Sequence, residues 1–329
     1  MAKIYVLHEN APWVEPLEQA FDAQQLPYDQ WFLDEAVLRF DEAPPPGVFY
    51  NRMSASSHTR GHRFAPELTA GVLNWLEAHD RRVVNDSRAL YLELSKLAQY
   101  AALQRAGIKT PRTLAAVGRD KVLEAAAAFG EGPIILKPNR GGKGLGVQLF
   151  YSIEAIEAYL DGPGANEEAP IDGLWLVQDY IRAPEPYITR AEFVGGKFLY
   201  AVRVDTSEGF ELCPADACNL DDSFCPADAP ANDKFAIVTN FTEHSGSRSL
   251  IESYERFLGA NGIEIAGIEF IRNKYGEVFT YDINTNTNYN AQAEKKAELE
   301  RSGMEAVAQF LGTELARLPL SLGKIAAAE

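Results

Sequence analysis

Apolar and polar positions follow two rhythms along this chain, and the changes of rhythm mark its elements. Residues 3–8, KIYVLH, form an apolar run of strand length. Trp13 to Gln25 carries apolar residues at helical spacing, and QWFL returns to strand. APPPG at 43–47 is a connector, GVFYNR a strand, and Phe64 to His79 a helix with one apolar face. VVND, ending at Asp86, is a further short strand. Ser87 is placed to cap one long helix from about Arg88 to Ala106, which Gly107 ends. Strand and helix in alternation predict a small, mainly parallel sheet. The pattern divides the chain into an N-terminal domain, 1–88, and a larger domain, 89–329.

From Thr110 the order changes. TPRTLAAV reads as strand, KVLEAAAAFG as helix, PIILKP and GVQLFY as strands around a glycine-rich turn, and SIEAIEAYL as helix. This β-α-β-loop-β-α unit belongs to a first lobe, 109–175, with a second, 176–318, following it. WLVQDYI opens the second lobe, and TRAEFV with KFLYAVRV form a hairpin around Gly195 and Gly196. Residues 213–234 have no periodicity and read as loop. A helix near Ser249–Leu258, the strands AGIEFI and VFTYDIN, and a helical tail from Ala291 complete an α/β chain of α+β lobes.

Composition narrows the function. With 46% hydrophobic and 24% charged residues, 329 residues suffice for a sizeable core in two or three modules. The formal net charge of -16 repels phosphate backbones, and no basic stripe offsets it, so nucleic acid is an unsuitable partner. A small anionic nucleotide remains compatible, because local donors and bound cations outweigh a distant field. MAKIYVLHEN lacks a signal-peptide pattern, and no apolar run approaches the ~20 residues of a membrane helix. The three cysteines, Cys213, Cys218 and Cys225, fit free thiols in a reducing cytoplasm better than a disulfide framework.

ILKPNRGGKGLGV delivers Lys137 on a strand and then Gly141, Gly142, Gly144 and Gly146. Glycines let successive N–H groups turn toward an anion. The segment is neither a Walker A sequence nor a dinucleotide fingerprint, and by itself it fits a phosphate cradle and a plain hairpin equally. Near the end, Asp282 and Asn284 lie two apart on a strand and face one side, and an antiparallel neighbour can bring Glu269 opposite them. Two carboxylates and an amide oxygen form a hard, oxygen-only set suited to Mg²⁺; single acids on a sheet face are otherwise solvated charges. Lys96, Lys137, Arg190 and Arg203 each read as surface charges unless they converge.

Taken in order, Lys96, Lys137, the glycine-rich loop, LVQDYI, Arg190, Arg203, Glu269 and Asp282-x-Asn284 resemble the ATP-grasp superfamily. They look most like its RimK-type glutamate ligases, with glutathione synthetase and D-alanine–D-alanine ligase more distant. The resemblance runs from about residue 50 to 290 and includes NRMSASSHTRG and NDSRALYLELSK followed by GIKTPRT. It implies an ATP-grasp fold behind a small parallel-sheet domain. Lys96 and Lys137 would contact the ATP phosphates, Lys137 also lying near the adenine, and the loop with Gly141, Gly142 and Gly144 would close as a lid. Gln178, Asp179, Tyr180 and Ile181 would form a hinge reading the adenine edge, and Glu185 would take the ribose. Arg190 matches the arginine of the family's D-I-R, and Arg203 would stabilise the transferred phosphoryl group. Glu269, Asp282 and Asn284 would bind two Mg²⁺ ions, Mn²⁺ being able to substitute.

The implied activity is carboxylate–amine ligation through an acyl phosphate, with homo-oligomeric assembly. An ATP-grasp kinase and a nucleotide-binding regulator without turnover are the rival readings. Arg52, Ser56 and Asn288 are candidate substrate contacts, Arg52 because a guanidinium matches a carboxylate bidentately. His58 and His62 read as parts of a capped loop. Two segments depart from the family: 210–233 is acidic and holds the cysteines and Asn219, and TNTNYN replaces the family's Ser-Pro-Gly. Both flank the acceptor side, so the resemblance leaves glutamate as substrate open; a cationic amine or a basic protein suits the acidic rim better.

Overall fold

A computed structural model describes residues 2–142, 144–166, 168–207, 209, 234–243 and 245–319. Cys213, Cys218, Cys225 and Asn219 lie outside the described residues. The first sheet joins β1 (Lys3–His8), β2 (Tyr28–Phe32), β3 (Gly47–Asn51) and β4 (Arg82–Val84) in the order β2-β1-β3-β4, all parallel. Parallel strands are covered on both faces, which explains the unbroken apolar run of β1. Ile4 and Val6 pack with α1 (Glu15–Ala23) and the C-terminal α9 (Gly303–Arg317), while Tyr5 and Leu7 pack with α2 (Ala65–Ala78).

The predicted long helix is two. α3 (Ser87–Leu94) starts on Asp86, whose carboxylate accepts from the amides of Arg88 and Ala89, so Asp86 and not Ser87 is the cap. α4 (Lys96–Arg105) starts on Ser95, which is extended at φ -140° and accepts from the Ala98 amide. The apolar spacing runs through the break without a fault. What interrupts the helix is tertiary: Asn139, from another lobe, accepts from the Lys96 amide through its carbonyl and from the Leu97 amide through its side chain.

β5 (Thr113–Val117), β8 (Leu174–Asp179), β6 (Ile134–Pro138) and β7 (Gln148–Phe150) form an antiparallel sheet in that order, backed by α5 (Arg119–Ala127) and α6 (Ile153–Leu160). The largest sheet has the order β11-β10-β9-β12-β13, from β9 (Tyr187–Val194), β10 (Lys197–Asp205), β11 (Phe235–Val238), β12 (Ile265–Arg272) and β13 (Val278–Asn284). Its outer face carries Ala191, Phe193, Ile268 and Phe270 against Tyr254, Phe257 and Leu258 of α7 (Ser245–Ala260). A strand alternates its side chains, so the residues between these point the other way, toward the second sheet and α4. α8 (Ala291–Lys296) follows β13.

Candidate active site

The cleft between the two antiparallel sheets is built by alternation. On β6, Ile134 and Leu136 enter the core under α5 and α6, so Ile135 and Lys137 face the cleft. Lys137 is 4% exposed, and its Nζ donates to the Tyr100 hydroxyl at 2.7 Å. Burial first, and the Lys96 charge second, push its pKa down to about 7. Lys96 opens α4, where the partial positive charge of a helix N-terminus disfavours a cation. Its Nζ donates to Asp282 at 2.6 Å. Burial would neutralise it, but Asp282, Tyr100 and Glu93 outweigh burial and raise its pKa.

On β12, Ile268 and Phe270 go to the α7 side and Glu269 to the cleft, where the register sets it against Asp282 of β13. Both carboxylates line the same cavity. Burial, then repulsion from Asp282, raises the Glu269 pKa to about 7. Asn284 follows on the same face, opposite Gly267, and its Oδ1 accepts from the Asn286 amide. A Cβ on Gly267 would come within 3.1 Å of Glu192, Arg190 and Thr287, so glycine keeps this end of the strand pair open.

The rest of the lining suits a flat apolar ring beside an anion. Ile135, Ile181, Ile188 and Ile271 supply the apolar walls. Gly141, Gly142 and Gly144 of the β6–β7 loop form the roof, with Gly144 at φ +75°. Gln178, Asp179, Tyr180 and Ile181 form the edge between the sheets, and the Gln178 amide donates to Thr113 and Tyr100.

Among the described residues no group of three or more His, Cys, Asp or Glu side chains surrounds a metal position. The donor set does fit a metal that keeps most of its own ligands. Glu269 is buried beside the partly buried Asp282, a repulsion that Arg190 and then Lys96 offset only in part, and a hard divalent cation taking their oxygens would relieve the rest.

Two antiparallel sheets gripping one cleft, with a lysine from β6, a lysine from α4 and a glycine-rich roof, decide the architecture. The fold is that of the ATP-grasp proteins. The chain aligns with the RimK-domain ATP-grasp protein of Sphaerobacter thermophilus at a TM-score of 0.61 and 17% identity, over 94% of this chain and 99% of that one. It also aligns with the ATP-grasp ligase PsnB, in a complex with a precursor variant, Mg and ADP, at a TM-score of 0.60 and 14% identity, over 95% and 99%. In sequence it is 27% identical over 198 residues to a probable alpha-L-glutamate ligase of Pseudoalteromonas atlantica, covering 59% of this chain and 56% of that protein. The chain thus spans about half the length of this curated relative. No family model matches.

In this chain of ATP-grasp fold the remaining expected residues divide. Arg190 lies opposite Glu269 on β9, is partly buried, and donates to Glu192 and to the Asn288 carbonyl. Arg203 does not join it. The β9–β10 register pairs Arg203 with Thr189 and Val202 with Arg190, so alternation turns Arg203 to the opposite face, exposed and over the Tyr187 ring at 4.7 Å. Glu185 is likewise exposed and lines a depression with Arg203, outside the cleft. Strand register, which spacing does not reveal, turns Arg203 from the cleft, and the segment between β8 and β9 holds Glu185 outside it. Arg52 is fully buried and its Nη2 donates to Asn288 at 2.6 Å, while Ser56 adjoins Gly142 of the roof.

Three buried residues escaped the sequence reading: Tyr100, which joins Lys137 to the Tyr281 carbonyl; Glu93, which accepts from the Ala55 and Thr285 amides; and Glu192. Only Tyr100 had a signal, standing one helical turn from Lys96.

Proposed function

We propose that this chain is an ATP-dependent carboxylate–amine ligase that forms an amide through an acyl phosphate and releases ADP and phosphate. The observation that carries the reading is the convergence of Lys96, Lys137, Glu269 and Asp282 in one cleft under a glycine-rich roof. The names of the relatives, ligases among them, support it.

In this reading the adenine lies between the isoleucines, against the edge formed by residues 178–181, and the phosphates reach toward Lys96 and Lys137. The lysines neutralise charge that accumulates when a phosphoryl group meets a carboxylate. Polyphosphate beside Lys137 would also favour its charged form, which burial alone disfavours. Glu269, Asp282 and Asn284 would hold two Mg²⁺ ions, with Mn²⁺ as substitute; the metal would supply Lewis-acid stabilisation of the accumulating negative charge. Arg190, across the strand pair from Glu269, is the candidate for the transferred group. The roof excludes water from an acyl phosphate that hydrolyses readily. Arg52, Ser56 and Asn288 would serve the acceptor side, and an amine then displaces phosphate. The N-terminal domain 1–88 and lobes 109–175 and 176–318 are the units of this reading, with homo-oligomeric assembly in the cytoplasm. Among the described residues no helix is long and apolar enough to cross a membrane.

The test is ADP and phosphate release across a panel of amino acids, dipeptides and polyamines. Amine-dependent release of both, lost in Lys137→Ala and in Asp282→Ala, is expected. Unchanged turnover in both variants would sink the assignment; a phosphorylated product without free phosphate would make the chain a kinase.

A further inference from the structure

The inner side of the glycine-rich loop faces the nucleotide cleft; its outer side faces the N-terminal unit through Arg140. This residue is 9% exposed and does not line the cleft. Its Nη1 donates to Glu67 of α2 at 3.0 Å, but Nε and Nη2 are buried with no hydrogen-bond partner among the described residues. Leaving buried guanidinium N–H groups unmet costs the full desolvation of those groups, so a fold retains them where something else meets them.

The vacant pair is a particular one. Nε and Nη2 form the side-on fork that takes both oxygens of a carboxylate. Arg39, Arg60 and Arg119 of this chain use that same fork on Asp41, Glu9 and Asp161, at 2.5–3.2 Å. Arg140 presents the fork with no acid in it among the described residues. Its neighbourhood is cationic although the chain carries -16: Arg60, Arg63 and Arg140 all act on His58, Arg60 being already paired with Glu9, and Glu67 is a half-exposed acid bound at Nη1. Gly142 of the roof lies against Ser56 of the same seam, and the Ser57 hydroxyl there is buried and unpartnered among the described residues.

We propose that the Nε/Nη2 fork of Arg140 docks a carboxylate of the substrate at the seam between the roof and the N-terminal unit. The word substrate rests on the ligase reading; the anion site rests on the fork. Arg140 directly precedes Gly141 and Gly142, so an anion that fixes its guanidinium also fixes the roof. Carboxylate and nucleotide therefore bind with positive coupling, each tightening the other.

The full chain with Mg²⁺ and AMPPNP is titrated with sodium acetate and, separately, with sodium phosphate, at ionic strength held constant with sodium chloride, and thermal stability is read. Wild type and Glu67→Gln should show a saturable acetate response. Arg140→Gln should need about ten-fold more acetate, the loss of roughly one charge-assisted fork. Arg140→Lys should fall between, since an ammonium offers no planar fork. Absence of the response in wild type, or an equal response in Arg140→Gln, overturns the proposal. A response to phosphate alone overturns the carboxylate. AMPPNP binding measured by itself separates the two levels: its absence in wild type counts against the ligase reading, whereas its retention with an acetate response indifferent to Arg140 removes only the carboxylate dock.

Discussion

Lys96, Lys137 and Glu269 are each costly to bury alone and are tolerated because they are buried together beside the partly buried Asp282. Arg190 and Arg203 separate the cleft face from the outer face of one sheet. Under the proposed ligase activity, Arg190→Gln should lower turnover by about a hundred-fold or more, in the range of a lost charge-stabilising donor, while Arg203→Gln leaves it within about three-fold; steady-state rates with saturating ATP decide this. A comparable loss in Arg203→Gln would return that residue to the chemistry. His8 carries a pH effect. Burial first, then Arg52, lowers its pKa from 6.5 to about 4. Between these values the unfolded chain binds the proton that the folded chain refuses, so stability falls as pH falls from about 6.5 toward 4. The loss between pH 7 and pH 5 should be about 2 kcal/mol more in wild type than in His8→Phe, measured by urea unfolding at both pH values. Parallel losses in the two proteins would remove His8 as the cause.

At the scale of elements, the break at Ser95 matters most. It starts a new helix at Lys96 and so directs that ammonium at Asp282. An amphipathic pattern through ALYLELSKLAQYAAL cannot reveal it, because what competes with the helix is Asn139 of the β6–β7 region. Ser95→Ala removes the cap from the Ala98 amide and should cost about 1 kcal/mol in urea unfolding, with AMPPNP binding weakened beyond what the stability loss explains. Intact affinity would mean that Asn139 alone holds Lys96. The strand pairs were more legible than the helix junction: Glu269, Asp282 and Asn284 share a face by period two, whereas Arg203 depended on which residue of β9 it met.

For the whole molecule, one core joins the first sheet to the largest. Ile4, Val6 and Val48 share a cluster with Val202, Val204 and Ile265, and α9 closes it with Val307 and Leu311. Glu93 straps the same units by accepting from Ala55 and from Thr285. Leu311→Ala should cost about 2–5 kcal/mol. It should also move the tryptophan-fluorescence and far-UV circular dichroism transitions together, since three of the four tryptophans, Trp13, Trp31 and Trp75, lie in the N-terminal unit. Divergent transitions would mean that the unit unfolds on its own.

Local pattern determined the types of most elements, because burial of one face imposes a period of 3.6 or 2 on whatever sequence folds. It also determined the chemical inventory of lysines, acids and glycines in order along the chain. The tertiary structure decided which members of that inventory meet. Strand register put Arg190 with Glu269 and turned Arg203 away; a distant asparagine ended one helix and began another; and the docking of the roof on the N-terminal unit left the Arg140 fork buried and unpartnered among the described residues. Register and docking depend on contacts far apart in the chain, and periodicity, a property of neighbours, carries no record of them.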